Sequence, residues 1–251
     1  MTNHRVSIGV FDSGHGGLDI LRELMASVVG DYSYYADTRY LPYGSLEKEK
    51  IVERSIEVCD ELIKTRGCDL IVVACNTATA YSIDALRQTF TIPFVGVEPY
   101  LNYVNKVAAT GTFGALVTPN THNSERFKNL KKLRDPEGKI PILALEKLAP
   151  LVEEFLVHKD REALLKELRA IFSEHLPLNW ESTILGCTHY PLIAPELSQV
   201  LKTQCVSPTK AVVEQVLRLI ALSKGELSQS FSYFNSKQEK WREATLTEFL
   251  G

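Results

Sequence analysis

The chain reads as an α/β protein of two similar doubly wound parallel-sheet domains facing each other across a cleft. Three observations lead there. Short β-branched and apolar runs alternate with amphipathic stretches from end to end, as in parallel sheets covered by helices. Several runs stop at small and polar residues where a helix opens, which is where open sheets carry their ligands. The order of polar-tipped strands also repeats: Asp12-Ser13 then Cys75-Asn76-Thr77 in one half, Thr118 and Thr121 then Cys187-Thr188-His189 in the other. The division that follows is residues 1–97 with 208–251 for the first domain and 98–207 for the second.

Residues 6–11 form a first strand, and Asp12-Ser13-Gly14-His15-Gly16-Gly17 turns it into a helix from Leu18. Glycines at such a turn suit a phosphate, although the spacing is not GxGxxG and no Lys-Ser/Thr follows; Asp12 and Ser13 would otherwise present a carboxylate and a hydroxyl at the strand tip. A second strand, Tyr32 to Ala36, runs into a loop that includes Pro42, Tyr43 and Gly44. This is a rigid turn or the wall of a small pocket. A helix over Glu47 to Lys64 precedes Leu70 to Val73, an apolar run of the kind buried on both faces, and a helix follows Cys75 through Leu86. After the short strand Phe94 to Val97, a helix leads to the strand Phe113 to Val117. Thr118, Thr121 and Ser124 then recur at every third position, as helix caps or as hydroxyls for a carboxylate.

The strand Ile140 to Leu145 leads to a helix from Leu148 in which Glu153 is an ordinary first-turn acid. Asp160 caps a helix to Leu176. The second cysteine strand, Thr183 to Gly186, comes next, then helix Ala194 to Leu201, a short strand at Cys205-Val206 and a helix from Pro208 to about Leu222. A strand near Phe231 to Phe234 and a closing helix, Lys237 to Leu250, complete the alternation.

Composition narrows the function. A formal net charge of -3 offers no basic patch for nucleic acid or anionic lipid. No apolar run reaches membrane-spanning length and no signal-peptide pattern opens the chain, so a cytoplasmic protein is expected. The five cysteines are scattered with no CxxC, which supports neither a structural zinc site nor a disulfide framework. A single strand-end cysteine is more often small core filler than chemistry. Two in matched settings, Ala74-Cys75-Asn76-Thr77 and Gly186-Cys187-Thr188-His189, point instead to two thiols at one site. Flanking one carbon, one thiolate would remove a proton while the opposite thiol delivers another, with no cofactor. A thiol pKa of about 8.5 leaves both forms accessible. Helix N-termini and hydroxyls from Thr77 and Thr188 would favour the thiolates, with Asp12 and His189 beside them. A two-lobed binder of small acids and a thiol–disulfide enzyme remain the alternatives.

These residues resemble the cofactor-independent amino-acid racemases of the aspartate/glutamate racemase family. The matching stretches are Gly9 to Gly14 with Gly16-Gly17, Pro42-Tyr43-Gly44, Val73 to Ala78, and Leu185 to Leu192. The resemblance implies interconversion of L- and D-glutamate, with aspartate or a related α-substituted acid as the alternative substrate, supply of the D-isomer to peptidoglycan, and a chain that is often a homodimer. It implies Cys75 and Cys187 as paired proton carriers, with Asp12, His189 and Glu153 assisting. Substrate contacts would come from Asp12, Ser13, Tyr43, Gly44, Asn76, Thr77, Thr118, Thr121, Thr188 and His189, without a metal. His15 departs from the pattern, standing where an apolar residue is usual; Phe127, Val97-Glu98-Pro99 and Ser207-Pro208 depart as well.

Overall fold

A computed structural model of the chain describes residues 5–99, 101, 111–220 and 229–250. Its strands form two sheets. In the first, β1 (Ser7–Asp12), β2 (Asp31–Ala36), β3 (Leu70–Val73) and β4 (Phe94–Gly96) run parallel in the order 2-1-3-4. The second sheet holds β5 (Phe113–Val117), β6 (Ile142–Ala144), β7 (Ser182–Gly186) and β8 (Gln204–Val206), parallel in the order 6-5-7-8. The two orders are the same path traced twice: out to one side, back across the centre, then onward. Each sheet therefore has one switch point, between β1 and β3 and between β5 and β7, where consecutive connections leave in opposite directions and open a crevice. Phe11 pairs with Val73 in the first and Val117 with Gly186 in the second, so Asp12 emerges beside Ala74-Cys75, and Thr118 beside Cys187.

Side chains alternate across each sheet as strand geometry requires. Ile8, Val10, Leu70 and Val72 pack with Leu21 and Leu24 of α1 (Leu18–Ser27) and with Val212, Val213 and Val216 of α9 (Thr209–Leu219). Phe11, Ile71 and Val73 face the other way, onto α2 (Lys48–Arg66) and α3 (Asn76–Thr89). In the second sheet Leu116 and Leu185 meet α6 (Leu148–His158), α7 (Arg161–Phe172) and α8 (Ala194–Leu201), whereas Val117 and Ile184 meet Phe127. Thr118 caps α4 (Pro119–Asn123) and Ser124 caps α5 (Glu125–Arg134), so the hydroxyl repeat does serve as caps.

Two elements differ from expectation. The helix capped by Asp160 stops at Phe172 instead of Leu176. Pro177 disfavours helical backbone at the residue before it, and the amides of His175 and Leu176 turn back onto the Phe172 carbonyl. The expected closing helix is instead a hairpin followed by one helical turn. After β9 (Ser230–Asn235), which lies parallel to β2, the chain reverses through Glu239 at φ 54° into β10 (Lys240–Glu243), antiparallel to β9. Trp241 then packs edge-on against Tyr35 and tilted against Phe234, burial that a solvent-facing helix would forgo. Only Thr247–Leu250 is helical, as α10. The helix expected between residues 99 and 113, and the chain beyond Ile220 to 228, lie outside the described residues.

Candidate active site

The two crevices face each other. Between them lies a cleft of about 450 Å³, its open mouth included, lined by Ser13, Tyr43, Gly44, Cys75, Asn76 and Thr77 from one lobe and Thr118, Cys187, Thr188 and His189 from the other. Both sulfurs therefore border one space, and both cysteines are 6% exposed. Every strand-tip motif singled out from the sequence reaches this region, but not every residue reaches the wall. Asp12, Thr121 and Glu153 stand behind the lining side chains.

The glycine turn after β1 is shaped by side chains of the opposite lobe. A Cβ at Gly14 would lie 2.2 Å from Glu153 Oε1, and one at Gly16 would lie 2.5 Å from His189 Nδ1. The glycines thus admit a carboxylate and an imidazole, which fill the space a phosphate would have needed. The Glu153 carboxylate accepts from the His15 backbone N–H at 2.7 Å and His189 Nε2 at 2.6 Å on Oε1, and from His15 Nδ1 at 2.7 Å on Oε2. Burial opposes its ionisation, yet the hydrogen bonds from His15 and His189 outweigh that and hold the carboxyl well below its usual range.

The two sulfurs sit in unlike surroundings. Cys75 is the N-cap of α3 and accepts from the Ala78 N–H at 3.4 Å, with Ser13 Oγ at 3.6 Å. Burial pushes its pKa up to about 12, the Asp12 carboxylate adds to the rise, and those two donors pull against it. The helix N-terminus is therefore outweighed, and Cys75 rests as a thiol. Cys187 Sγ lies 3.7 Å from His189 Nδ1, whose ring holds Glu153 through its other nitrogen. Burial works against a charged His189, but the neighbouring Cys187 and Glu153 raise its pKa well above the ordinary histidine value. Burial likewise raises the Asp12 carboxyl, although His189 and bonds from the Gly14 N–H at 2.6 Å and the Thr188 hydroxyl at 2.9 Å oppose it.

Three hydroxyls are placed differently from expectation. Thr188 donates to Asp12 instead of a sulfur, and Thr77 meets Thr118 at 3.0 Å and Thr121 at 3.3 Å across the cleft. The Tyr43 hydroxyl donates to Asp37 at 2.6 Å, away from the substrate space, and Asp37 is clamped by Arg54. What Tyr43 brings to the cleft is its ring and backbone. Glu146 and Ala149 also line the cleft and were not singled out; the position of Glu146, just past the end of β6, was the available signal. Among the described residues no group of three or more His, Cys, Asp or Glu side chains is arranged to hold a metal ion.

Two lobes of one topology, each bringing a cysteine at its switch point to a common cleft, define a racemase architecture. A family model for Asp/Glu/hydantoin racemases matches residues 22–216, and the chain belongs to that family. Its relatives include the glutamate racemases of Ralstonia pickettii, 37% identical over 79% of this chain and 70% of that protein, and of Fusobacterium nucleatum, 32% identical over 94% and 86%. The solved glutamate racemase of Escherichia coli, in complex with L-glutamate and the activator UDP-MurNAc-Ala, superposes with a TM-score of 0.81 at 31% identity, covering 92% of this chain and 89% of that one. An aspartate racemase of Picrophilus torridus, 13% identical, shares the fold with a TM-score of 0.60 over 86% of this chain and 94% of that one.

Proposed function

We propose that this racemase interconverts L- and D-glutamate without a cofactor, with Cys75 and Cys187 as the two proton carriers. The supporting observation is that the two sulfurs border one cleft from opposite lobes, each at the end of a central strand. One thiolate takes the Cα proton and becomes a thiol, and the C–H electron pair stays on carbon. The opposite thiol then protonates that carbon from the other face and becomes the thiolate. Configuration inverts, and the enzyme is left with its two sulfurs in exchanged protonation states.

The surroundings suit this exchange. His189 supplies positive charge beside Cys187, and the raised Asp12 carboxyl lies within the field of Cys75, so each sulfur has a titratable neighbour. No Lys or Arg is among the described residues lining the cleft. The substrate carboxylates would be held by neutral donors: the Asn76 amide, the hydroxyls of Ser13 and Thr77, and the N-terminus of α3. Among acidic amino acids, glutamate is favoured by the several glutamate racemases among the relatives. The same proposal places the enzyme in the cytoplasm, where thiols stay reduced, supplying D-glutamate for peptidoglycan, with a homodimer as its assembly. It also divides the chain at 97 and 208, supported by the packing of α9 on α1.

The test is incubation of each glutamate isomer in deuterated water. Deuterium should enter Cα while optical rotation decays to zero from either isomer. Absence of both sinks the proposal, and faster turnover of aspartate would reassign the substrate.

A further inference from the structure

The proton exchange described above does not use His15, in the glycine turn after β1. Its imidazole nonetheless touches the site machinery. Nδ1 lies 2.7 Å from Glu153 Oε2 and Nε2 lies 2.8 Å from the Tyr233 hydroxyl, while its ring stacks against Tyr233 and packs tilted against Phe249, both at centroid distances of 6.0 Å.

This chain of bonds runs in one direction. Asn235 Oδ1 accepts from the Lys237 N–H at 2.9 Å and from the Thr38 hydroxyl, which leaves the amide to donate to the Tyr233 oxygen at 3.1 Å. The Tyr233 proton is then free to point at His15 Nε2. Burial raises Tyr233 to about 12, so that proton stays in place at neutral pH. A carboxylate can only accept, so His15 Nδ1 carries the hydrogen that faces Glu153. Asn235, Tyr233 and His15 thus donate in series into one oxygen of Glu153, while His189 donates to the other. Each donor strengthens the next, and the carboxylate is pinned from both sides.

We propose that His15 is a positioning residue: it fixes Glu153 against His189 and thereby sets the ease with which Cys187 gives and takes its proton. The device reaches across the cleft. Tyr233 and Asn235 belong to β9 at the far side of the first sheet, and Glu153 belongs to α6 of the second lobe. The C-terminal segment is tied in as well, since Phe249 packs on Tyr233 at 4.7 Å and Arg242 lies over both rings. The proposal rests on the two-cysteine reaction.

The test compares parent, His15→Leu, His15→Asn and Tyr233→Phe, each checked for an unchanged circular dichroism spectrum. His15→Leu keeps the backbone N–H bond to Glu153 but loses the arm; His15→Asn retains a donor near the place of Nδ1. For two enantiomers the equilibrium constant is one, so kcat/KM must fall equally in both directions. The asymmetry can appear only in kcat and KM taken separately. In His15→Leu we expect kcat/KM to fall about tenfold or more, from loss of a charge-assisted hydrogen bond. The ratio of the two kcat values should also change several-fold, because only the Cys187 side is disturbed.

The pH profile moves in a defined sense. Charged or titratable groups facing His15 and its carboxylate partner are Glu153, His189, Tyr233, Tyr34, Asp12 and Arg242. With Glu153 less firmly held, the protonated form of His189 loses support, its pKa falls, and the alkaline limb of kcat/KM shifts to lower pH. Tyr233→Phe should shift it in the same sense by less, and His15→Asn should recover most of the parent's behaviour. A general structural defect would scale both kcat values together and move no limb. An unmoved limb with an unchanged kcat ratio in His15→Leu, or no recovery in His15→Asn, overturns the proposal. Failure of the parent to exchange Cα hydrogen would instead overturn the reaction itself.

Discussion

Cys75 and Cys187 share a local sequence and differ in their electrostatics. One faces a raised carboxyl and rests as a thiol; the other faces a histidine held by Glu153. Substituting either by Ser should lower kcat by about 10²- to 10⁴-fold, the range for loss of a general acid or base, measured as polarimetric turnover of both isomers. Asp12 gives a second prediction. Its folded-state pKa is raised, so the native state binds that proton more tightly than the unfolded chain, and its contribution to stability declines as pH rises through the carboxylate range. Asp12→Asn removes the charge; its amide oxygen can accept from the Gly14 N–H, and its NH2 can donate to Thr188 once that hydroxyl turns to accept. It should therefore melt at a higher temperature than the parent at pH 7, with the difference vanishing toward low pH, while losing activity; calorimetry across pH checks it. The cysteine pair was legible in the sequence because both motifs are local. Glu153 by itself read as a helix-start acid, since nothing in its neighbours along the chain announces a histidine from the turn after β7.

At the level of elements, the turn after β1 shows why glycine content alone misleads. Gly14 and Gly16 suit a phosphate by composition, although not by GxGxxG spacing, and the structure fills the space with Glu153 and His189. Gly14→Ala and Gly16→Ala should each cut turnover by at least about tenfold by displacing these groups from working geometry. The order of strands and helices was legible from alternating burial and caps. The C-terminal hairpin was not, because the pull of Tyr35 and Phe234 on Trp241 is a tertiary contact that outweighs local helical pattern.

For the whole molecule, the question is how a substrate enters a cleft whose sulfurs are almost fully covered. The lobes are bridged by Asp12 with Thr188, Thr77 with Thr118, His15 with Glu153, and Asn120, whose amide donates to the backbone oxygens of Tyr43 and Leu46. Such polar bridges can be exchanged for water, unlike a packed apolar core, so entry by separation of the lobes is expected. Asn120→Ala should speed hydrogen exchange at residues 43–46 and raise KM, and saturating glutamate should restore protection in the parent more than in the variant. By itself the sequence determined the two-lobed α/β plan and the strand-end placement of both cysteines, because strand periodicity, caps and motifs act over a few neighbouring residues. Only the tertiary structure decided which groups meet across the cleft: that Thr188 serves Asp12, that Tyr43 turns its hydroxyl away, and that His15 reaches Glu153. Those contacts join residues far apart in the chain, and packing of the two lobes, not local preference, selects them.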